Sequence, residues 1–370
     1  MLVARYEFNT YLPKSIMASA YALLAGTILF IALIVVLAIF VLPASLKLPS
    51  GGFNLTTTAA YNSTTAYTTT VNQSYSTSTV QAANLTQLDY YMLSLINKDR
   101  SQYGLSNVTL STESSAQQHS QSMYDNQYFS HWDIYGMKPY MRYTALGGTG
   151  AVAENIATNY STVCLGPICH GNINVTSSLA GMEYDMMYND QACCNNGHRE
   201  NILDPNHNQV SIGVSYDAGR VYLTQDFIDN YISWSNGPAY SGGEVTLPGQ
   251  IQNGYSLQSV EVVYDPPIAN MTVAQLNATS EYGYGNTVAG VVSDSSYYYD
   301  NITTIVADTY QTNGNEFDIR FNMQNLTSQY GPGEYTILMW LNQTGGNSFL
   351  GSTYTFFIGS NGQAYAQTYV

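Results

Sequence analysis

Residues 126–143 read NQYFSHWDIYGMKPYMRY, residues 152–157 read VAENIA, and residues 197–205 read GHRENILDP. The chain has only 5 histidines, yet His131 closes the first motif's opening run and His198 opens the last, with Glu154 between them in sequence. Neutral imidazoles and carboxylates drawn from separate segments can form an N₂O₂ ligand set with open positions, which suits zinc or another divalent ion. A single histidine is more often a hydrogen-bonded structural residue. The motifs carry weight because they come as a group.

Working outward, Leu88, Met92, Leu95 and Ile96 fall on one helical stripe, and Gly104 supplies a stop. A second helix is expected through TESSAQQHSQSMYDN (112–126), with Thr112 as candidate N-cap. A third is expected around SSLAGMEYDMMYND (177–190). VSIGVSYDAGRVYLTQDF (210–227) alternates on either side of Asp217-Ala218-Gly219 and reads as a β-hairpin. Helices and strands mixed in this way imply an α+β domain. His119 fits a helix surface, His207 a turn, and neither they nor His170 enter the site on this reading.

The ordered blocks LINKDRSQYGL, AQQHSQSMYDNQYFSH, AENIA, GHRENIL and IGVSYDAGRVYLTQDF resemble the CAP superfamily (cysteine-rich secretory proteins, antigen 5 and pathogenesis-related proteins) in its prokaryotic, SCP-like form. The resemblance spans residues 85–229. It implies an α-β-α sandwich with an open cleft, lined by two histidines and two acidic residues that often hold a divalent cation; the donor set makes zinc the first expectation. Matched to the family's motifs, His131 is the first cleft histidine, Glu154 the glutamate of its G-E-N motif and His198 the second histidine. The fourth position lies on the helix before His198; aligning MYND with the family's helix end selects Asp190, with Glu183 as the alternative on the same face. The sequence departs from the family in three places. Ala153 replaces the usual glycine, the helix lacks its tryptophan, and an insertion carrying two cysteines precedes His198.

Cys164, Cys169, Cys193 and Cys194 all fall inside this domain. Outside the cell they are expected to be oxidised, and four cysteines allow three pairings. A bond between the adjacent Cys193 and Cys194 closes a strained ring, which favours both bonding back to Cys164 and Cys169 and bracing the cleft. The rival is a structural zinc held by the same four thiolates.

The 370 residues suffice for two domains and a tail. Lys plus Arg total 10 against 25 Asp plus Glu, a formal charge of −15. That field repels phosphate backbones and excludes nucleic acid as a partner. Only 9% of residues are charged while 34 are Tyr, a composition that suits an extracellular surface protein.

After a short cytoplasmic N-terminus (1–16), residues 17–43 form an uncharged apolar run long enough for a bilayer-spanning helix and too long for the core of a cleavable signal. Residues 44–83 form a Ser/Thr/Asn tract that reads as a flexible, glycosylated stalk. Residues 84–232 form the CAP-like domain. Short β-branched and aromatic runs over 240–370 suit an immunoglobulin-like β-sandwich. Twelve N-x-Ser/Thr sequons, at Asn54, Asn62, Asn72, Asn84, Asn107, Asn159, Asn174, Asn270, Asn277, Asn301, Asn325 and Asn342, fall outside the proposed membrane.

Three functions fit: a surface protein binding a small ligand, lipid, glycan or peptide in the cleft; a metal-dependent extracellular peptidase or esterase; and a structural coat component. Binding leads. The chain has neither H-E-x-x-H nor G-x-S-x-G. Ser130 is a poor nucleophile for His131, because neighbours along an extended chain point in opposite directions.

Overall fold

The computed structural model describes residues 78–165, 168–279 and 281–367, with side chains from residue 87 onward except that of Leu165. The proposed cytoplasmic segment, membrane helix and most of the stalk lie outside these residues, as do Asn54, Asn62, Asn72 and the side chain of Asn84. Among the described residues no helix is long and apolar enough to cross a membrane. The first described helix, α1 (Ser78–Gln102), starts inside the tract read as stalk.

The first domain is built on a four-stranded sheet, β1 (Thr109–Leu110), β5 (Gln209–Tyr216), β6 (Arg220–Asp229) and β2 (Ala151–Tyr160), in the spatial order 1-5-6-2. The hairpin read around Asp217 is β5–β6, paired in register from Gln209↔Ile228 to Tyr216↔Val221. Side chains alternate across a strand, so the two faces differ. Val210, Ile212, Val214, Val221, Leu223 and Phe227 meet Leu88, Met92 and Ile96 of α1 and Leu179, Met182 and Met187 of α4 (Val175–Tyr188) in one core. The opposite face is polar. There Ser120 of α2 (Ser115–Asn126) donates to Gly213 O (2.8 Å), and its Oγ lies 2.9 Å from the hydroxyl of Thr224. Helices on both faces make the expected α-β-α arrangement. Gly213 is required by it, since a Cβ there would sit 2.1 Å from the carbonyl oxygen of Ala116.

Two local readings need correction. Thr112 does not cap α2; the helix starts at Ser115 with Ser114 as N-cap. Residues 111–113 are instead bound to β5, with Ser211 Oγ donating to Glu113 O (2.6 Å). The cysteines pair locally, Cys164 with Cys169 and Cys193 with Cys194. The short hairpin of β3 (Thr162–Leu165) and β4 (Ile168–Gly171) sets Cys164 directly opposite Cys169, so the preferred cross-linking to Cys193 and Cys194 does not occur.

The C-terminal region is β-rich. One five-stranded sheet contains β10 (Tyr255–Asp265), β11 (Asn286–Val292), β12 (Thr303–Val306), β15 (Gly333–Gln343) and β16 (Ser348–Ile358). The other contains β7 (Ile232–Trp234), β9 (Glu244–Ile251), β13 (Thr309–Asn313) and β14 (Glu316–Asn322), with β8 (Ala239–Ser241) pairing β9. Both contribute to one apolar core, Val245, Leu247 and Ile319 from the second sheet meeting Val260, Ile337 and Met339 from the first. Because β7 pairs β9, this sheet takes in residues ahead of position 240.

Between β10 and β11 the chain leaves its sheets and crosses the first domain. Met271 N donates to Ile134 O (2.9 Å), Phe129 N to Asn277 Oδ1 (2.8 Å), Ser130 Oγ to Thr279 O (2.6 Å) and Trp132 Nε1 to Glu281 O (3.0 Å). Gly136, at φ +82°, admits this strap: a Cβ would lie 2.5 Å from Ala269 O. Lys138 anchors its ends, giving hydrogen bonds to Asp265 Oδ1 (2.6 Å) and Gly283 O (2.8 Å).

Candidate functional site

The site grows from the edge strand β2. Glu154 faces Asp226 of β6 in register, on the polar side of the sheet. It is fully buried, and both its oxygens are engaged. Oε1 lies 2.8 Å from His131 Nδ1, and Oε2 accepts from the buried guanidinium of Arg142 on α3 (Pro139–Ala145). Arg142 also donates to His131 O (3.3 Å). His131 is held from the other side by the strap: the Tyr282 ring lies 4.9 Å from its own, and Tyr282 Oη accepts from Glu154 N (3.0 Å).

The second histidine has its own carboxylate. Asp190 follows α4, and its Oδ2 accepts from the backbone N–H of His198 (2.9 Å) and of Arg199 (3.3 Å), at the start of α6 (Gly197–Leu203). Asp190 Oδ1 lies 2.6 Å from His198 Nδ1. The sharp return from α5 (Gln191–Cys194) into α6 uses two consecutive left-handed residues, Asn195 (φ +50°) and Asn196 (φ +68°). Asparagine tolerates that conformation better than other side chains.

Both histidines line one cleft with two lobes. Each lobe is also lined by Cys193 and Cys194. The polar lobe, about 500 Å³, is walled by Glu154, Asn155, Asn201 and the strap's Glu281 and Tyr282. The apolar lobe, about 610 Å³, is walled by Phe129, Ile156, Met182 and Met186. A histidine whose Nδ1–H is held by a carboxylate presents Nε2 as acceptor or metal ligand. Both His131 and His198 have that arrangement, so each ring can offer Nε2 to a divalent ion, with Glu154 and Asp190 orienting the rings. The four residues do not close into one set. The group of donors within 4.8 Å of one another among the described residues is Asp190, Cys193, Cys194 and His198, without His131 or Glu154.

Glu183 takes no part in the cleft. Its Oε2 accepts from Gln225 Nε2 (2.7 Å) beneath the sheet, and burial pushes it up to about 8. Gln225 Oε1 in turn accepts from Asn155 (3.2 Å), whose carbonyl holds Asn201 (2.8 Å). Glu183 therefore ties the sheet to α6.

Three functional neighbours had escaped the sequence reading. His119 is wholly buried, donating from Nε2 to Ser130 O (2.8 Å) with Glu154 Oε1 at 3.8 Å. It is not a helix-surface residue: it shares a stripe with Ala116 and Met123, both buried, which the spacing alone could have revealed. Arg142 and Asp226 complete the layer beneath the cleft. Burial raises Glu154 to about 7 and Asp226 to about 8, with Arg142 pulling both back. One guanidinium balances one carboxylate. Glu154 is the one that holds Arg142 directly, while Asp226 faces it across the strand pair and accepts from Ser115 Oγ (2.5 Å). Burial and the same guanidinium push His131 down to about 4, so its ring is neutral at physiological pH. His207 also lies off the cleft, buried against Asp229 (2.6 Å).

Residues 93–227 match the family model of the cysteine-rich secretory protein family (CAP). The matched span contains every cleft residue named above except the strap's Glu281 and Tyr282. No curated protein matches the chain.

Proposed function

We propose that the chain is a cell-surface binding protein whose prokaryotic, SCP-like CAP domain takes an amphipathic ligand, a lipid or an acylated glycan or peptide, into the two-lobed cleft. The observation that carries this reading is the meeting of a polar and an apolar lobe at two carboxylate-oriented imidazoles. A ligand's tail has Met182, Met186, Ile156 and Phe129 to cover it, and its head group has the histidines, Asn155 and Asn201.

A divalent cation, zinc first, would be held by His131 and His198 and would anchor an anionic head group electrostatically. The chain's own residues prepare that place. Arg142 and Asp226 keep Glu154 in position and charge state, and Glu154 and Asp190 fix the rings. For peptidase or esterase chemistry Glu154 is not a free base, because it spends both oxygens on His131 and Arg142.

In the same reading residues 17–43 anchor the protein and 44–83 lift it from the membrane. The C-terminal sheets form an immunoglobulin-like sandwich that supplies the cleft's outer wall. The sequons on described side chains support an outward-facing surface: Asn107, Asn159, Asn174, Asn270, Asn277, Asn301 and Asn325 are exposed and Asn342 is half-buried.

Calorimetric titration of the full chain in detergent with zinc, and separately with palmitate, tests the reading. His131→Ala and His198→Ala are each expected to weaken zinc at least tenfold, and Met186→Glu to weaken palmitate by a similar factor. Zinc and palmitate both failing to bind the wild type would overturn it.

A further inference from the structure

The insertion before His198 places two adjacent cysteines on the lip of the cleft, and ligand binding as proposed gives them no task. Cys193 is exposed and Cys194 half-buried, and together they border both lobes. Their sulfurs share a neighbourhood with Asp190 and His198, one donor atom from each of the four lying within 4.8 Å of the others. Cys193 Sγ is 3.5 Å from both Asp190 O and Asp190 Oδ1.

We propose that Cys193, Cys194, Asp190 and His198 form a redox-gated site for a thiophilic divalent cation of the zinc type. In the bonded form each sulfur is joined to the other and carries no charge. A disulfide sulfur is a weak donor, so the site stays closed. Two electrons from an external thiol pair open it: two R–SH reduce Cys193–Cys194 to two thiols and leave as R–S–S–R. The cation then displaces both thiol protons and enters between Asp190 Oδ1 and His198 Nδ1, replacing their hydrogen bond as the ring's proton moves to Nε2. This leaves two thiolates, one imidazole nitrogen and one carboxylate oxygen around it.

The geometry allows the change. Zinc–sulfur bonds of about 2.3 Å at a tetrahedral angle hold two thiolates roughly 3.8 Å apart. The sulfurs therefore need only move apart within a short helical turn whose neighbours, Asn195 and Asn196, already break the helix. Asp190 is the fixed wall of the site, clamped by the two backbone N–H groups at the start of α6. The site uses neither His131 nor Glu154. It shares His198 with the cleft, so cleft occupancy and redox state are coupled through one ring.

Cobalt(II) titration of the full chain in detergent, followed by absorbance, reads the site directly, because thiolate–cobalt bonds give a near-ultraviolet charge-transfer band. The oxidised protein is expected to show no such band. After reduction with a phosphine, one equivalent of cobalt should produce it. Cys164→Ser with Cys169→Ser should leave it intact, and Cys193→Ser with Cys194→Ser should abolish it. Cys193→Ser alone should halve it, a graded result that unfolding would not give. His131→Ala should weaken zinc in the oxidised protein yet spare the band, which separates this site from the cleft reading. Absence of the band in the reduced wild type, or its survival without Cys193 and Cys194, would overturn the proposal.

Discussion

Glu154 and Asp226 face each other across one strand pair with a single guanidinium to share. A carboxyl raised in the folded state binds its proton more tightly there than in the unfolded chain. Its contribution to stability is complete below the unfolded value, about 4, and is lost as pH rises through the folded value. That value is about 7 for Glu154 and about 8 for Asp226 and Glu183. His131 acts in the opposite sense. Pushed down to about 4 from 6.5, it contributes stability that is lost as pH falls through that window. Between pH 6.5 and 8 the carboxyls act unopposed, so the melting temperature should fall as pH is raised over that range. Each proton released costs up to about 1.4 kcal/mol per pH unit. Asp226→Asn keeps a donor toward Glu154 and removes one titrating group, so its melting curve should be flatter over the same range. A slope equal to the wild type's would show that Asp226 carries no proton. The cleft histidines and their acids were legible because they sit in short motifs. Asp226 was not, since its role depends on which residue of β2 it faces, and register is invisible before the strands are paired.

At the scale of elements, the position of α6 and hence of His198 depends on Arg100. This side chain is fully buried and donates to four carbonyls: Ser106 O (2.9 Å), Ile202 O (2.8 Å), Asp204 O (2.8 Å) and His207 O (3.2 Å). A guanidinium can serve such a ring of acceptors because its donors fan out in a fixed plane; an ammonium offers fewer, on a looser stem. Arg100→Lys should therefore cost about 2–3 kcal/mol, from unpaired buried carbonyls, measured as a lower urea midpoint. Amide exchange over 197–208 should quicken with it. If the midpoint holds, the stitch is dispensable. The elements themselves were readable where periodicity was strong: the apolar stripe of α1 and the alternation of β5–β6 both appear where expected. The disulfides were not, because the pairing of Cys164 with Cys169 follows from a small hairpin of exposed residues with no apolar pattern to announce it.

For the molecule as a whole, the strap joins two domains around one cleft. Its anchorage is a buried ion pair. Lys138 and Asp265 are 2.6 Å apart, both nearly excluded from solvent, and Asp265 Oδ2 also accepts from Tyr140 Oη (2.7 Å). Removing one member of such a pair leaves a buried charge uncompensated, at about 3–5 kcal/mol. Lys138→Met should lower stability by that order and split the calorimetric transition, as the domains cease to melt together. A single unshifted transition would mean that the strap's backbone contacts suffice. None of this was visible in the sequence. Residues 129–138 and 265–285 are far apart along the chain, and neither stretch has a pattern that names the other. The match to the secretory family likewise ends at residue 227, short of the strap.

The chain's scarcity of basic residues has a practical corollary. Of its 10 lysines and arginines, Arg100, Lys138 and Arg142 are enclosed within the fold. Lys98, on the outer face of α1, is thus the one solvent-facing primary amine on a lysine side chain among the described residues. Among the described residues an amine-reactive fluorophore therefore finds a single lysine to attach to, a defined position that can serve as one end of a distance measurement.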